Sequence, residues 1–137
     1  MKDVVLAELQ VGNSEQFIYQ RRDGKAPTAP HRLGWFGGHR NLYENPIDCI
    51  RRELSEETSL EIARLLFSKP RIFEVPAEHA SSKELTFVTL FNTRIKPADT
   101  NFEVYEGTRA EIFTHAGLLA TNEVASTVRY ILEQMEA

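Results

Sequence analysis

The stretch GGHRNLYENPIDCIRRELSEETSL, Gly37 to Leu60, sets five acidic side chains and two adjacent arginines into twenty-four residues. Asn45, Pro46 and Asp48 have the chemistry of a helix start: an oxygen acceptor for the cap, a residue that needs no N–H at the first helical position, and a carboxylate in the first turn. A helix is predicted from about Pro46 to Thr58. At about 100° per residue, Ile47, Ile50 and Leu54 form one stripe and Glu53, Glu56 and Glu57 another, about a quarter turn away. Such a helix can lay its apolar stripe on a sheet and turn its acidic stripe to a cleft. Like charges three and four residues apart cost roughly a few tenths of a kcal/mol per pair when exposed, and more where water is partly excluded. Something must offset that repulsion in the working protein.

The rest of the chain supplies the sheet. Alternation at Val4 and Leu6, then at Phe17 and Tyr19, predicts two early strands with Gly12-Asn13 as the turn between them. Asp23 to Gly34 holds two prolines and two glycines with no apolar period and reads as an exposed loop, leading to a short strand end at Trp35-Phe36. Leu60 to Phe67 is ambiguous. Arg71 to Val75 and Leu85 to Ile95 are rich in β-branched and aromatic residues and read as strands. Further short strands are expected around Glu106-Gly107. At the end, Asn122 offers a cap for a helix whose apolar face is Val124, Val128, Ile131, Leu132 and Met135. Strands, helix, strands, helix, with no linker or repeat, predict one α/β domain over residues 1–137, a mixed sheet between helices.

Composition closes off several functions. Sixteen basic against twenty acidic residues, a formal net charge of -4, argue against a binder of duplex DNA or RNA backbone. The single cysteine, Cys49, excludes an intramolecular disulfide and a multi-cysteine zinc site, and reads as a small half-buried residue. With no long apolar region at its N-terminus and no apolar run of about eighteen residues, the chain is expected to be soluble and cytoplasmic, without a membrane partner.

A hard divalent cation answers the repulsion on the helix: Mg²⁺ takes oxygen ligands and commonly bridges carboxylates to substrate phosphates. Gly37-Gly38, upstream, supplies backbone that can approach a ligand closely. Gly38, Glu44, Arg52, Glu53, Leu54, Glu56, Glu57 and Leu60 reproduce the spacing of the Nudix box, with Ser59 where that pattern has glycine, so eight of nine fixed positions match over twenty-three residues. The chain therefore resembles the Nudix hydrolases (MutT-like) over its whole length. The resemblance implies a Nudix-type α/β/α sandwich and metal-dependent hydrolysis of a nucleoside diphosphate linked to another moiety, with Mg²⁺ or Mn²⁺. It implies Glu53, Glu56 and Glu57 as metal ligands with the Gly38 carbonyl as an additional one, Arg52 as the residue that orients the glutamates, and Glu44 as the holder of the loop.

Glu106, before Gly107, looks like the late glutamate that some family members use as an extra ligand or base, with Glu103 and Glu111 as its competitors. Arg21, Arg22 and Lys25 are candidate contacts to a distal phosphate or base, set against the plainer reading of solvated cations. Trp35 is a candidate to stack a nucleobase, set against a place in the core. The four histidines show no paired ligand spacing. The expected substrate is a small nucleotide-type phosphoanhydride, such as a nucleoside triphosphate or nucleotide sugar, handled by a monomer or homodimer. Two rivals stand beside this reading: a nucleotide-sensing module without turnover, which has no chemical need of the full set Arg52, Glu53, Glu56 and Glu57, and an RNA-cap or diphosphoinositol phosphatase, for which an extended basic surface is lacking.

Overall fold

The computed structural model describes residues 1–136. Its centre is β1 (Lys2–Val11), whose inward positions alternate as the strand period requires: Val5, Ala7 and Leu9 are fully buried on one face. Beside it runs β6 (Thr86–Ile95), parallel and in register along ten residues from Lys2↔Thr86 to Val11↔Ile95. The outer neighbour of β6 is β5 (Arg71–Val75), antiparallel to it. The sheet is thus mixed.

The other edge of β1 is divided between two strands, and this fork shapes the molecule. β2 (Gln16–Arg21) returns through the Gly12 turn and pairs with β1 only at Leu9↔Ile18 and Gln10↔Phe17, then diverges to pair with β3 (Leu33–Gly34) and β7 (Arg109–Thr114). The vacated length of β1, Val4 to Ala7, is taken by β4 (Phe36–His39). Gly37 and Gly38 are thereby set opposite Leu6 and Val5 of β1.

Helix α1 (Pro46–Glu57) begins as its sequence dictates, with the Asn45 side chain accepting from the Asp48 N–H at 3.0 Å and Pro46 inside the first turn. Its stripe of Ile50 and Leu54 packs on Val5, Ala7, Leu9, Ile18, Phe36 and Phe91. On the opposite face, α3 (Ser126–Glu136) buries Val128, Ile131 and Leu132 against Tyr19, Leu33, Trp35, Val88 and Leu90. Two helices enclosing a mixed sheet give the expected α/β/α sandwich. Among the described residues no helix is long and apolar enough to cross a membrane.

Local differences from expectation lie where short segments obey tertiary contacts. The expected loop ends two residues early because Leu33 is drawn into the core, making β3. One strand, β7, follows Glu106-Gly107. A short helix, α2 (His115–Leu119), was not foreseen; Thr114 caps it by accepting from the Gly117 N–H at 3.0 Å. The final helix starts at Ser126, so Asn122 is not its cap.

Candidate active site

Arg52 organises the acidic face of α1. Its guanidinium donates two bonds to Glu44, at 2.8 and 3.0 Å, and others to Glu53 at 3.0 Å, Glu56 at 3.3 Å and the His39 carbonyl at 3.2 Å. The planar fork of arginine suits this two-pronged grip on Glu44. It holds the Glu44 carboxyl down to about 2, with the Asn41 N–H assisting. Glu44 thus fastens the loop between β4 and α1, its carboxylate also accepting from the Asn41 N–H at 3.0 Å.

The glycine pair explains itself at the level of atoms. Gly37 has φ of +136°, which most side chains resist, and its N–H donates to Glu57 at 2.8 Å. At Gly38, an added Cβ would come within 2.8 Å of all three carboxyl atoms of Glu53. Glu53 therefore occupies the space that a side chain at position 38 would fill. Glu57 is 2% exposed. Burial first, and then the charges of Glu106 and Glu53, push its carboxyl up to about 8 against the pull of the Gly37 N–H and the Gln20 amide. Glu53 is raised too, by burial, while the neighbouring Arg52 opposes the shift.

Glu106 sits in the irregular segment before β7, and its charge acts on both Glu53 and Glu57. Its rivals face other duties. Glu111 is gripped by Arg21 at 2.7 and 3.0 Å, which holds its carboxyl below the usual range, and Glu103 joins Ser59 through its backbone. Gln20, a residue without a motif, reaches the same place from β2. The alternation at Phe17 and Tyr19 sets Gln20 on the other face of the strand, so the sequence carries no signal for it.

The candidate base and phosphate contacts fare differently. Trp35 is 3% exposed and packed in the core on the α3 side, so it offers no open ring face to a nucleobase. Arg22 spends its guanidinium on the Thr28 carbonyl at 2.8 Å and the Thr28 hydroxyl at 3.4 Å, bracing the loop rather than facing the carboxylates. Arg21 is held by Glu111, by Glu123 at 3.2 Å and by the His31 carbonyl. Cys49 is fully buried, and burial pushes its thiol up to about 12, which suits packing and not nucleophilic attack.

The donor set Glu53, Glu56, Glu57 and the Gly38 carbonyl is oxygen only, the chemistry of a hard divalent cation. Among the described residues, no three carboxylate, histidine or cysteine side chains close on a common point, since Glu53 and Glu56 lean on Arg52 and Glu57 leans on Gly37. The residues fit such an ion through their chemistry and through the side-chain-free cradle at Gly38.

Known proteins agree with this architecture. The MutT protein from Methanosarcina mazei Go1 superposes with a TM-score of 0.76 at 16% identity, covering 98% of this chain and 92% of that one. The Escherichia coli dihydroneopterin triphosphate pyrophosphohydrolase gives 0.71 at 14% identity, over 98% and 96%. A bifunctional NMN adenylyltransferase/ADP ribose pyrophosphatase from Francisella tularensis, complexed with AMP and a manganese ion, gives 0.77 at 17% identity, over 98% of this chain and 41% of that one. At such identities the likeness is one of fold. No curated protein sequence matches the chain. The family model described as NUDIX domain matches residues 3–131, and with this match over nearly its whole length the chain belongs to the Nudix hydrolases.

Proposed function

We propose that the protein is a Mg²⁺-dependent pyrophosphohydrolase, active also with Mn²⁺, that cuts the phosphoanhydride of a small nucleoside diphosphate derivative or nucleoside triphosphate. One observation carries the reading: Glu57 is buried at 2% exposure, with Glu53 and Glu106 adding like charge. A buried carboxylate in such company is costly unless a cation joins it. Glu53, Glu56 and Glu57, with the Gly38 carbonyl, would hold the ion, and Arg52 sets the directions of Glu53 and Glu56. When bound, a divalent ion neutralises phosphate oxygens and makes a water more acidic.

The chain's own residues do the rest. Water adds across the P–O–P bridge: one new P–O bond forms at the attacked phosphorus, the bridging P–O bond breaks, and the water's proton passes to a carboxylate. Glu106 is assigned that role, because its charge acts on Glu53 and Glu57 and, among the described residues, no arginine pairs with it, in contrast with Glu111. Glu44 keeps its place as the loop's fastening. Residues 1–137 act as one such domain, in the cytoplasm.

A panel of nucleoside triphosphates, nucleotide sugars, ADP-ribose and dinucleoside polyphosphates, each with Mg²⁺ or Mn²⁺, tests this. The expected result is metal-dependent release of a nucleotide and a second phosphate product. Tight nucleotide binding with no product from any member would replace the reading with a sensing module.

A further inference from the structure

Gln20 is 3% exposed on β2, its backbone fixed between Gly34 of β3 and Ala110 of β7. Its side-chain Nε2 donates to the Glu106 carbonyl at 2.6 Å and lies 3.5 Å from Glu57 Oε2. A primary amide has two N–H groups, one for each acceptor. The same atom thus reaches the side chain of one cluster carboxylate and the main chain of another.

The segment from Glu103 to Thr108 has little regular structure, yet it is tied down almost residue by residue. Ser59 N–H donates to the Glu103 carbonyl at 3.0 Å, and the Glu103 N–H to Ser59 Oγ at 2.7 Å. The Tyr105 N–H donates to the Glu57 carbonyl at 2.7 Å, and the Thr108 N–H to the Arg21 carbonyl at 2.8 Å. Gly107, at φ +99°, lets the loop approach β2: a Cβ there would stand 2.8 Å from the Arg21 carbonyl oxygen and 3.0 Å from Gln20 Cγ. Within this series the bond at residue 106 comes from a side chain, that of Gln20. The chemistry of the anchor matters as well. A lysine or arginine at position 20 would neutralise Glu57, whereas an amide donates while leaving the negative charge for a cation.

We propose that Gln20 is a positioning residue of the hydrolytic site, its side-chain amide fixing the Glu106 loop against the Glu57 carboxylate so that the two groups meet a substrate from set places. The inference rests on the reading of Glu57 and Glu106 given above. It goes beyond the box, since Gln20 lies outside it in sequence.

The test uses Gln20→Met, which keeps the volume and removes the donor, and Gln20→Glu, which keeps the shape, has no donor when ionised and adds a negative charge. Three quantities are measured: amide hydrogen exchange of the segment from Glu103 to Thr108 in the metal-free protein, Mn²⁺ affinity by electron paramagnetic resonance, and kcat and KM on whichever substrate the wild type hydrolyses. Gln20→Met is expected to speed exchange in that segment by about tenfold or more while the core helices keep their protection. Its kcat should fall by about 10- to 100-fold with KM held within about threefold. Gln20→Glu should lower kcat at least as much, yet bind Mn²⁺ no more weakly, because an added carboxylate draws cations. Wild-type loop protection and kcat in Gln20→Met would show that the side chain only fills space and would overturn the proposal. So would a loss matched by an equal rise in exchange across the whole chain. If the wild type hydrolyses nothing, the hydrolytic reading fails by itself, and the exchange and Mn²⁺ measurements still decide whether the amide holds the loop.

Discussion

Two carboxylates lie buried on opposite faces of the sheet, Glu8 at 3% exposure and Glu57 at 2%. Glu8, on β1, is matched on each oxygen: Asn92 Nδ2 at 3.0 Å on one and His115 Nε2 at 3.1 Å on the other. His115 in turn stacks on Phe17 with ring centroids 4.2 Å apart and reaches Glu136 at 3.4 Å. Glu57 receives one backbone N–H at 2.8 Å and a distant amide at 3.5 Å, and faces the charges of Glu53 and Glu106. Burial is nearly equal, so burial does not distinguish function from structure. What distinguishes them is whether the protein supplies the counter-charge itself. Glu8 has its imidazole and is complete; Glu57 has no cationic side chain among its hydrogen-bond partners, and on the proposed reading a cation from elsewhere joins it.

The largest break of this comparison is Glu57→Gln. The amide retains an oxygen for the Gly37 N–H but loses the charge, so metal-dependent turnover should fall by at least about a hundredfold. The metal-free fold should be as stable as the wild type or more so, since a buried like-charge repulsion is removed. Near-normal turnover in a pure preparation would sink the assignment of this carboxylate.

Glu8→Ala should do the converse. It takes from the Asn92 amide and the His115 imidazole their nearer acceptor, leaving Gln10 and Glu136, and opens a small cavity, costing about 3 kcal/mol of stability. Turnover per folded molecule should be unchanged. A denaturant melt and an assay at a temperature where the variant is folded measure both, and a selective loss of activity would move Glu8 into the site.

Proton linkage sharpens the contrast further. The Glu8 hydrogen bond raises His115 above its ordinary range, partial burial pulls it down, and Glu136 adds to the rise. The folded chain therefore holds this proton more tightly than the unfolded chain. That stabilisation is fully present below the unfolded value of about 6.5 and is lost as pH rises through the folded pKa. Glu57 contributes with the same sign: a raised carboxyl makes the folded state lose stability from its ordinary range up to about 8. Burial raises Glu53 as well, so melts in a Glu53→Gln, Glu57→Gln background isolate the histidine. They should still lose stability from weakly acidic to weakly basic pH, and adding Glu8→Gln should flatten the profile.

Much of this was legible in the chain. The helix from Pro46 was readable because its cap, proline and apolar stripe are local, and the box spacing puts Glu53, Glu56 and Glu57 on one face by helical geometry alone. Long strands such as Leu85 to Ile95 announced themselves by composition. What was not legible depends on partners distant in sequence. Trp35 and Arg22 looked available because their neighbours in the core and in the loop cannot be read locally. Gln20 has no motif, and its role arises only because β2 leaves β1 at the fork and passes beneath the Glu106 loop. Leu33-Gly34 became a strand because Leu33 is wanted in the core.

Ser59, the one box position this chain changes, belongs to the structural side of the comparison. Glycine is favoured after a helix when the terminating residue is left-handed. Here the non-glycine residues with positive φ, among the described residues, are Ala29, His31, Tyr43 and Lys83, so Ser59 is not left-handed. The helix instead ends in extended backbone at Thr58, φ -139°, whose N–H and hydroxyl both donate to the Leu54 carbonyl, at 3.0 and 2.7 Å. Ser59 then pairs with Glu103 twice, its Oγ accepting at 2.7 Å. Ser59→Gly thus relieves no strain; it removes that acceptor and adds unfolded-state entropy, for a loss of about 1 kcal/mol or somewhat more. The Tyr105 and Gln20 bonds still hold the loop, so kcat should stay within about threefold of wild type. A lower denaturation midpoint with retained turnover is the expected pair of results. Lost turnover at an unchanged midpoint would place the Ser59 hydroxyl among the groups that serve the reaction, on the side of Glu57 rather than of Glu8.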